Sequence, residues 1–171
     1  MTRIIERLAD VAAHYDAVFC DLWGCVHNGI AAHPDAVEAL RAFKAGGGTV
    51  LLLTNAPRPR ASVATQLDRL GVPRDCWDVI ATSGDSARVA MLTGAVGAKV
   101  WHIGEPHDAP FFDPMALIEN AVDIERVPLD QAEGIICTGP FVPKADPSVM
   151  RPDFLLAKTR GLKLLCANPD I

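Results

Sequence analysis

Long hydrophobic runs are missing from this sequence. Half of the 171 residues are hydrophobic, but they come in short stretches broken by charge, glycine or proline. None approaches the ~20 apolar residues that a membrane helix needs. The first fourteen residues alternate charged and apolar side chains and lack the apolar core of a secretory leader. Also missing is any Cys-x-x-Cys pair: the five cysteines stand at 20, 25, 76, 137 and 166, which suits a reduced, cytoplasmic chain better than a disulfide framework. Cys20, Cys25 and His27 lie close enough to suggest a metal, yet no fourth ligand of a structural zinc site accompanies them. Basic runs are absent too, with only the scattered Arg58 and Arg60 and a net charge of -5, so neither nucleic acid nor a membrane is the expected partner. Finally, Gly46-Gly47-Gly48 is followed by no Gly-Lys-Ser/Thr, and no Gly-x-Gly-x-x-Gly fingerprint occurs. The glycine triplet reads as a helix stop, and a nucleotide-binding domain is disfavoured.

What is present is organised around residues 17–29. Ala17-Val18-Phe19-Cys20 is a short apolar strand that ends on Asp21, and Gly24 follows to let the backbone turn. Upstream, Ile4, Ile5, Leu8, Val11 and Ala12 recur at helical spacing and predict a leading amphipathic helix. Downstream, Pro34 opens a helix with Val37, Leu40 and Phe43 on its apolar face. Thr49 to Leu53 is a second buried strand, stopped by Thr54-Asn55. A right-handed crossover makes these two strands parallel and sets Asp21 and Thr54 at one edge, where ligands bind in open α/β sheets.

Val63, Leu67 and Leu70 predict a further helix, and Val79-Ile80-Ala81 a third strand running into Thr82-Ser83-Gly84. The organisation changes there, which predicts a boundary between residues 1–83 and 84–171. Beyond it, Asp85 to Met91 reads as helix, Ala98 to Ile103, Gly134 to Cys137 and Leu162 to Cys166 as strands, and the remainder as a helix-then-strand repeat.

A strand-end carboxylate facing a Thr-Asn donor pair suits phosphoryl transfer through an aspartyl phosphate. Asp21 would be the nucleophile, Thr54 and Asn55 the phosphate binders, and Mg2+ the ion, since magnesium accepts one or two carboxylates plus phosphate oxygens. A turn or helix-capping role for Asp21 fits its position equally well. Trp77 and Trp101 flank apolar runs and read as core residues.

At Asp21-Leu22-Trp23-Gly24, Thr54-Asn55-Ala56, Thr82-Ser83-Gly84 and Cys166-Ala167-Asn168-Pro169-Asp170, the sequence resembles the haloacid dehalogenase superfamily, in its capped class IIA branch of NagD-like and 4-nitrophenylphosphatase-like phosphatases. The resemblance implies a Rossmann-like parallel-sheet α/β core, here partial, with an inserted α/β cap domain. It implies a small phosphorylated metabolite as substrate, Asp21 and the backbone carbonyl of Trp23 as metal donors, and Asn168 and Asp170 as cap residues that reach the substrate; Asn-Pro-Asp is also turn chemistry in its own right.

Two departures from the family pattern matter. Trp23 replaces a second aspartate that, by the resemblance, protonates the leaving group, and loss of a general acid-base typically costs about 10²- to 10⁴-fold in rate. His27 is a candidate replacement, because imidazole titrates in the useful range; a packed turn histidine is the other reading. In the family, a lysine and an acidic pair follow the cap, and neither is found before Ile171. The expectation is a longer protein, or a homo-oligomer or other partner that supplies the missing strands. A catalytically impaired binding protein is the alternative function.

Overall fold

The computed structural model describes residues 4–141 and 146–168, and the chain divides into two compact units. One comprises 1–54 and 60–81, the other 55–59 and 82–171.

In the first unit, a single helical turn, α1 (Ala9–Ala12), precedes β1 (Ala17–Asp21), α2 (Pro34–Ala45), β2 (Thr49–Thr54), α3 (Arg60–Arg69) and β3 (Val79–Thr82). β1 and β2 pair in parallel, from Ala17 opposite Thr49 to Asp21 opposite Leu53, and the sheet order is β1-β2-β3. The crossover helix α2 starts on Pro34 and buries Val37, Leu40 and Phe43. Its end is built by glycine: the Gly46 N–H reaches the Ala42 carbonyl at 3.1 Å, and a Cβ on Gly48 would lie 2.2 Å from the Phe43 ring. Val50 and Leu52 are fully buried, whereas Phe19 on the edge strand β1 is 69 % exposed.

The leading helix is shorter than its periodicity predicts. Only Ala9–Ala12 is helical and it buries no residue, while Ile4 is 93 % exposed. An isolated turn cannot repay its nucleation cost without a covered apolar face.

In the second unit, α4 (Ser83–Leu92) leads to β4 (Lys99–Ile103), the two-residue β5 (Glu125–Arg126), β6 (Gly134–Cys137), α5 (Arg151–Thr159) and β7 (Lys163–Cys166). The sheet runs β5-β4-β6-β7, and all its pairs are parallel. Met91, Val96, Val100, Phe111 and Ile136 form one core cluster, and Ile103, Leu129, Ile135 and Ala157 a second. The predicted helix-then-strand repeat fails between β4 and β6. Pro106, Pro110, Pro114 and Pro128 interrupt that segment, and besides the short β5 its helical elements are 3-10 turns at Pro106–Phe112 and Leu129–Gln131, because proline removes a helical hydrogen bond and clashes with the preceding turn.

α4 begins with Thr82, whose hydroxyl accepts from the Asp85 N–H at 2.9 Å. The helix start is tied to 55–59 by the Gly84 N–H on the Ala56 carbonyl at 3.1 Å. A Cβ on Gly84 would lie 2.4 Å from the Pro57 carbonyl carbon, and backbone cannot swing aside as a side chain can. Gly84→Ala is therefore expected to cost about 1–3 kcal/mol through overpacking, read as a lowered denaturant midpoint with unchanged slope.

Candidate functional site

Parallel register puts the ends of β1 and β2 side by side: Asp21 pairs with Leu53, one residue before Thr54. Asp21 is exposed. Its Oδ1 accepts the Leu22 N–H at 2.7 Å, which orients the carboxylate. Leu22 itself is 3 % exposed and anchors the turn that follows.

That turn is closed on both sides of Trp23. The His27 N–H donates to the Leu22 carbonyl at 3.1 Å and the Gly24 N–H to the His27 carbonyl at 2.8 Å, with Gly24 at φ 76°, a conformation open to glycine. These bonds use the peptide groups flanking Trp23 and leave its own carbonyl outside the bridge. The indole is 67 % exposed.

His27 lies inside, 4 % exposed. Its Nδ1 accepts the Gly29 N–H at 3.1 Å, so the neutral ring carries its proton on Nε2. Burial, and next the nearby His33, push its pKa below the ordinary imidazole value, with Asp21 opposing. Cys20 is pushed up to about 11, first by burial and then by Cys25 and Asp21, the reverse of what a zinc thiolate requires.

The metal donors that the resemblance implies are the Asp21 carboxylate and the Trp23 peptide carbonyl. Among the described residues no group of three or more His, Cys, Asp or Glu side chains could hold a metal ion. This set fits magnesium, which binds through one or two carboxylates and otherwise keeps water and phosphate oxygens; zinc would need three or four N, S or O side-chain ligands.

In the second unit the Asn55 Nδ2 reaches the Asn168 Oδ1 at 3.5 Å, so these two predicted residues meet each other. Asp170 lies outside the described residues. A polar network that no sequence motif marks stands at the C-terminal edge of the second sheet. The Thr138 hydroxyl donates to Asp108 Oδ2 at 2.7 Å, His102 Nε2 stands 2.9 Å from the same hydroxyl, and the Glu105 N–H adds a bond to Asp108 Oδ2 at 3.0 Å. Thr138 follows β6 directly while Thr54 is the last residue of β2, and a threonine closing a short apolar run is the sequence signal the two share.

One buried histidine and one half-buried one make a prediction about pH. His102, like His27, has its pKa lowered chiefly by burial. Both are neutral in the folded chain at a pH where the unfolded chain already binds protons, so the stability they carry is complete above the unfolded histidine pKa and is lost on acidification through it. Melting temperature should fall from pH 7.5 to pH 5.5, and less steeply in His102→Gln.

A family model for haloacid dehalogenase-like hydrolases matches residues 18–116, a span that includes all but the first residue of β1, the whole of β2 and the turn between Asp21 and His27. The chain belongs to the haloacid dehalogenase-like hydrolases. Within this family its fold matches the crystal structure of a haloacid dehalogenase-like hydrolase from Brucella suis 1330, with a TM-score of 0.87 and 36 % identity, over 99 % of this chain and 62 % of that one. The glycerol phosphate phosphatase of Mycobacterium tuberculosis, solved in complex with magnesium, superposes with a TM-score of 0.63 at 26 % identity, over 94 % of this chain and 46 % of that one. Human glycerol-3-phosphate phosphatase is 31 % identical over 137 residues, 75 % of this chain and 42 % of that protein. The chain thus spans about half the length of its relatives. No helix among the described residues is long and apolar enough to cross a membrane.

Proposed function

We propose that this chain carries the nucleophile of a magnesium-dependent phosphatase acting on a small phosphorylated metabolite, with residues 1–83 as part of the core and 84–171 as the cap. The reading rests above all on Asp21: an exposed carboxylate at the C-terminal end of β1, oriented by the Leu22 N–H and level with the end of β2. Its relatives include phosphatases of glycerol phosphate. The five free cysteines suit a cytoplasmic setting.

In this mechanism Asp21 Oδ2 attacks phosphorus, the bond from phosphorus to the ester oxygen breaks, and the leaving group departs with its electron pair. Water then attacks the aspartyl phosphate, cleaving the bond to Oδ2 and releasing inorganic phosphate. Thr54 and Asn55 hold the phosphoryl oxygens. Asp21 and the Trp23 carbonyl would hold magnesium, which supplies charge neutralisation at the phosphoryl group when bound. Trp23 offers an indole N–H and no titratable group. His27 would be the remaining acid-base candidate, but its burial and the bond on Nδ1 favour a role in holding the turn.

The first test is hydrolysis of 4-nitrophenyl phosphate with magnesium added, then chelated by EDTA, then restored. The expected result is activity that follows the metal; hydrolysis indifferent to EDTA would contradict it. Trp23 favours one other reading, a binding protein that has lost turnover. Trp23→Asp separates the two: higher turnover marks the native site as impaired, lower turnover marks tryptophan as part of a working one.

A further inference from the structure

Trp23 is both exposed and pinned. Large exposed side chains usually move freely, yet this indole meets His27 edge-on, with centroids 5.9 Å apart and planes at 90°. Its six-membered ring also lies over Gly29, where an added Cβ would stand 2.5 Å from Cη2 and Cζ3. Gly29 has φ 85°, so a side chain there would be strained as well as obstructed. The same peptide holds His27 through the bond to Nδ1. One glycine thus orients the imidazole and makes room for the indole, and the result is a preset aromatic plane two residues past Asp21.

We propose that Trp23 determines specificity by stacking on the leaving group, so that the site selects aryl or other flat, conjugated phosphate esters over alkyl ones, with Gly29 as the positioning residue. This rests on the phosphotransfer reading of Asp21. It assigns the choice of leaving group to Trp23 and its placement to Gly29. A conjugated leaving group also departs as a stabilised anion, which suits a turn whose side chain beside the nucleophile donates no titratable proton.

Binding of two unreactive analogues, phenylphosphonate and methylphosphonate, tests this with magnesium present. Tryptophan emission is the readout, and Trp23→Phe identifies the part of the signal that comes from Trp23. The expected result is about tenfold tighter binding of phenylphosphonate, in the range of one good aromatic contact, with a change in Trp23 emission. Trp23→Leu and Gly29→Ala should each erase the preference, while Trp23→Phe keeps most of it. Equal affinity for the two phosphonates overturns the proposal and leaves the phosphatase reading standing. Failure of both to bind overturns the two together.

A second observation stands apart from this chemistry. Cys137 and Cys166 end β6 and β7 directly opposite each other in parallel register. Adjacent strands lie ~4.8 Å apart, inside the Cα separation that a disulfide spans, and opposed residues share a sheet face. Cys166 is exposed and Cys137 half-buried, and their thiols donate to Asn168 and Gly139 carbonyls at 3.2 and 3.8 Å. We infer that a peroxide converts this pair to a reversible disulfide. The Cys166 sulfur displaces an alcohol or water from the peroxide to give a sulfenic acid. The Cys137 thiol then attacks that sulfur and expels water, so two thiols are oxidised and one peroxide is reduced.

Peptide mapping of the hydrogen peroxide-treated chain, after alkylation of free thiols, should find 137 linked to 166, two hydrogens lighter and restored by dithiothreitol. Cys137→Ser should leave Cys166 to oxidise further instead. Sulfinic or sulfonic Cys166 beside alkylatable Cys137 in the unsubstituted chain would overturn the inference, as would linkage of either cysteine to a different one.

Discussion

Asp21→Asn is expected to lower phosphate release by ~10⁴- to 10⁶-fold, the scale on which removal of a nucleophile acts. Asparagine keeps the shape of the side chain and its amide oxygen still accepts the Leu22 N–H that Asp21 Oδ1 takes at 2.7 Å. It removes the charge and the nucleophilic oxygen. The melting temperature should therefore stay close to that of the unsubstituted chain while steady-state 4-nitrophenyl phosphate turnover disappears. Residual turnover within tenfold of the parent would move the chemistry away from Asp21. The mutation reports on electrostatics as well as on covalency, since in the proposed mechanism the same carboxylate would also help to retain magnesium.

Arg88→Ala has the largest expected effect on stability. The guanidinium is buried, with its side chain 7 % exposed and that of Asp85 9 % exposed where the two pair at 3.2 Å. Its other nitrogens hold the segment after β4, through the Phe111 carbonyl at 2.9 Å and the Asp113 carbonyl at 2.7 Å. Alanine leaves a buried carboxylate without this cation and two carbonyls without their donor. Breaking one side of a buried pair typically costs about 3–5 kcal/mol. Denaturant unfolding should show that loss, with early loss of structure around Phe111. A cost below 1 kcal/mol would mean that solvent replaces the guanidinium readily. Arg88→Lys should recover little, because an ammonium does not reproduce the planar fork that serves three acceptors.

Much of the first unit is legible in the sequence because buried parallel strands are written as short apolar runs that stop on polar residues. Val50 and Leu52 lie in such a run, and the step from it to Thr54 marks the strand end that the register places beside Asp21. Pro34 and the glycines after α2 announce that helix at both ends. The same reasoning overextends at the N-terminus. Ile4, Ile5 and Leu8 have helical spacing, but spacing creates a stable helix only where something covers it, and Ile4 is 93 % exposed. In the second unit the prolines between 106 and 128 decide against helix, although the apolar residues among them, Phe111 foremost, still reach the core.

The site is legible in its residues and less so in its three-dimensional supports. Asp21 and Thr54 can be read from strand ends. That Trp23 is held over Gly29 depends on a positive φ and a missing Cβ, which only the folded turn displays. That Asn55 meets Asn168 depends on residues 113 positions apart. His27 illustrates the limit most clearly: an imidazole that titrates in the useful range suggests acid-base work, while the fold buries the ring and commits Nδ1 to the Gly29 N–H.

The most direct test of the phosphotransfer account is to trap the covalent intermediate. The chain is incubated with magnesium and 4-nitrophenyl phosphate, quenched in acid, reduced with borohydride and mapped by peptide mass. An acyl phosphate at Asp21 is reduced to homoserine, so the account predicts homoserine at position 21, absent in Asp21→Asn. Phosphate release without homoserine at position 21, or with the reduced residue elsewhere, would contradict it.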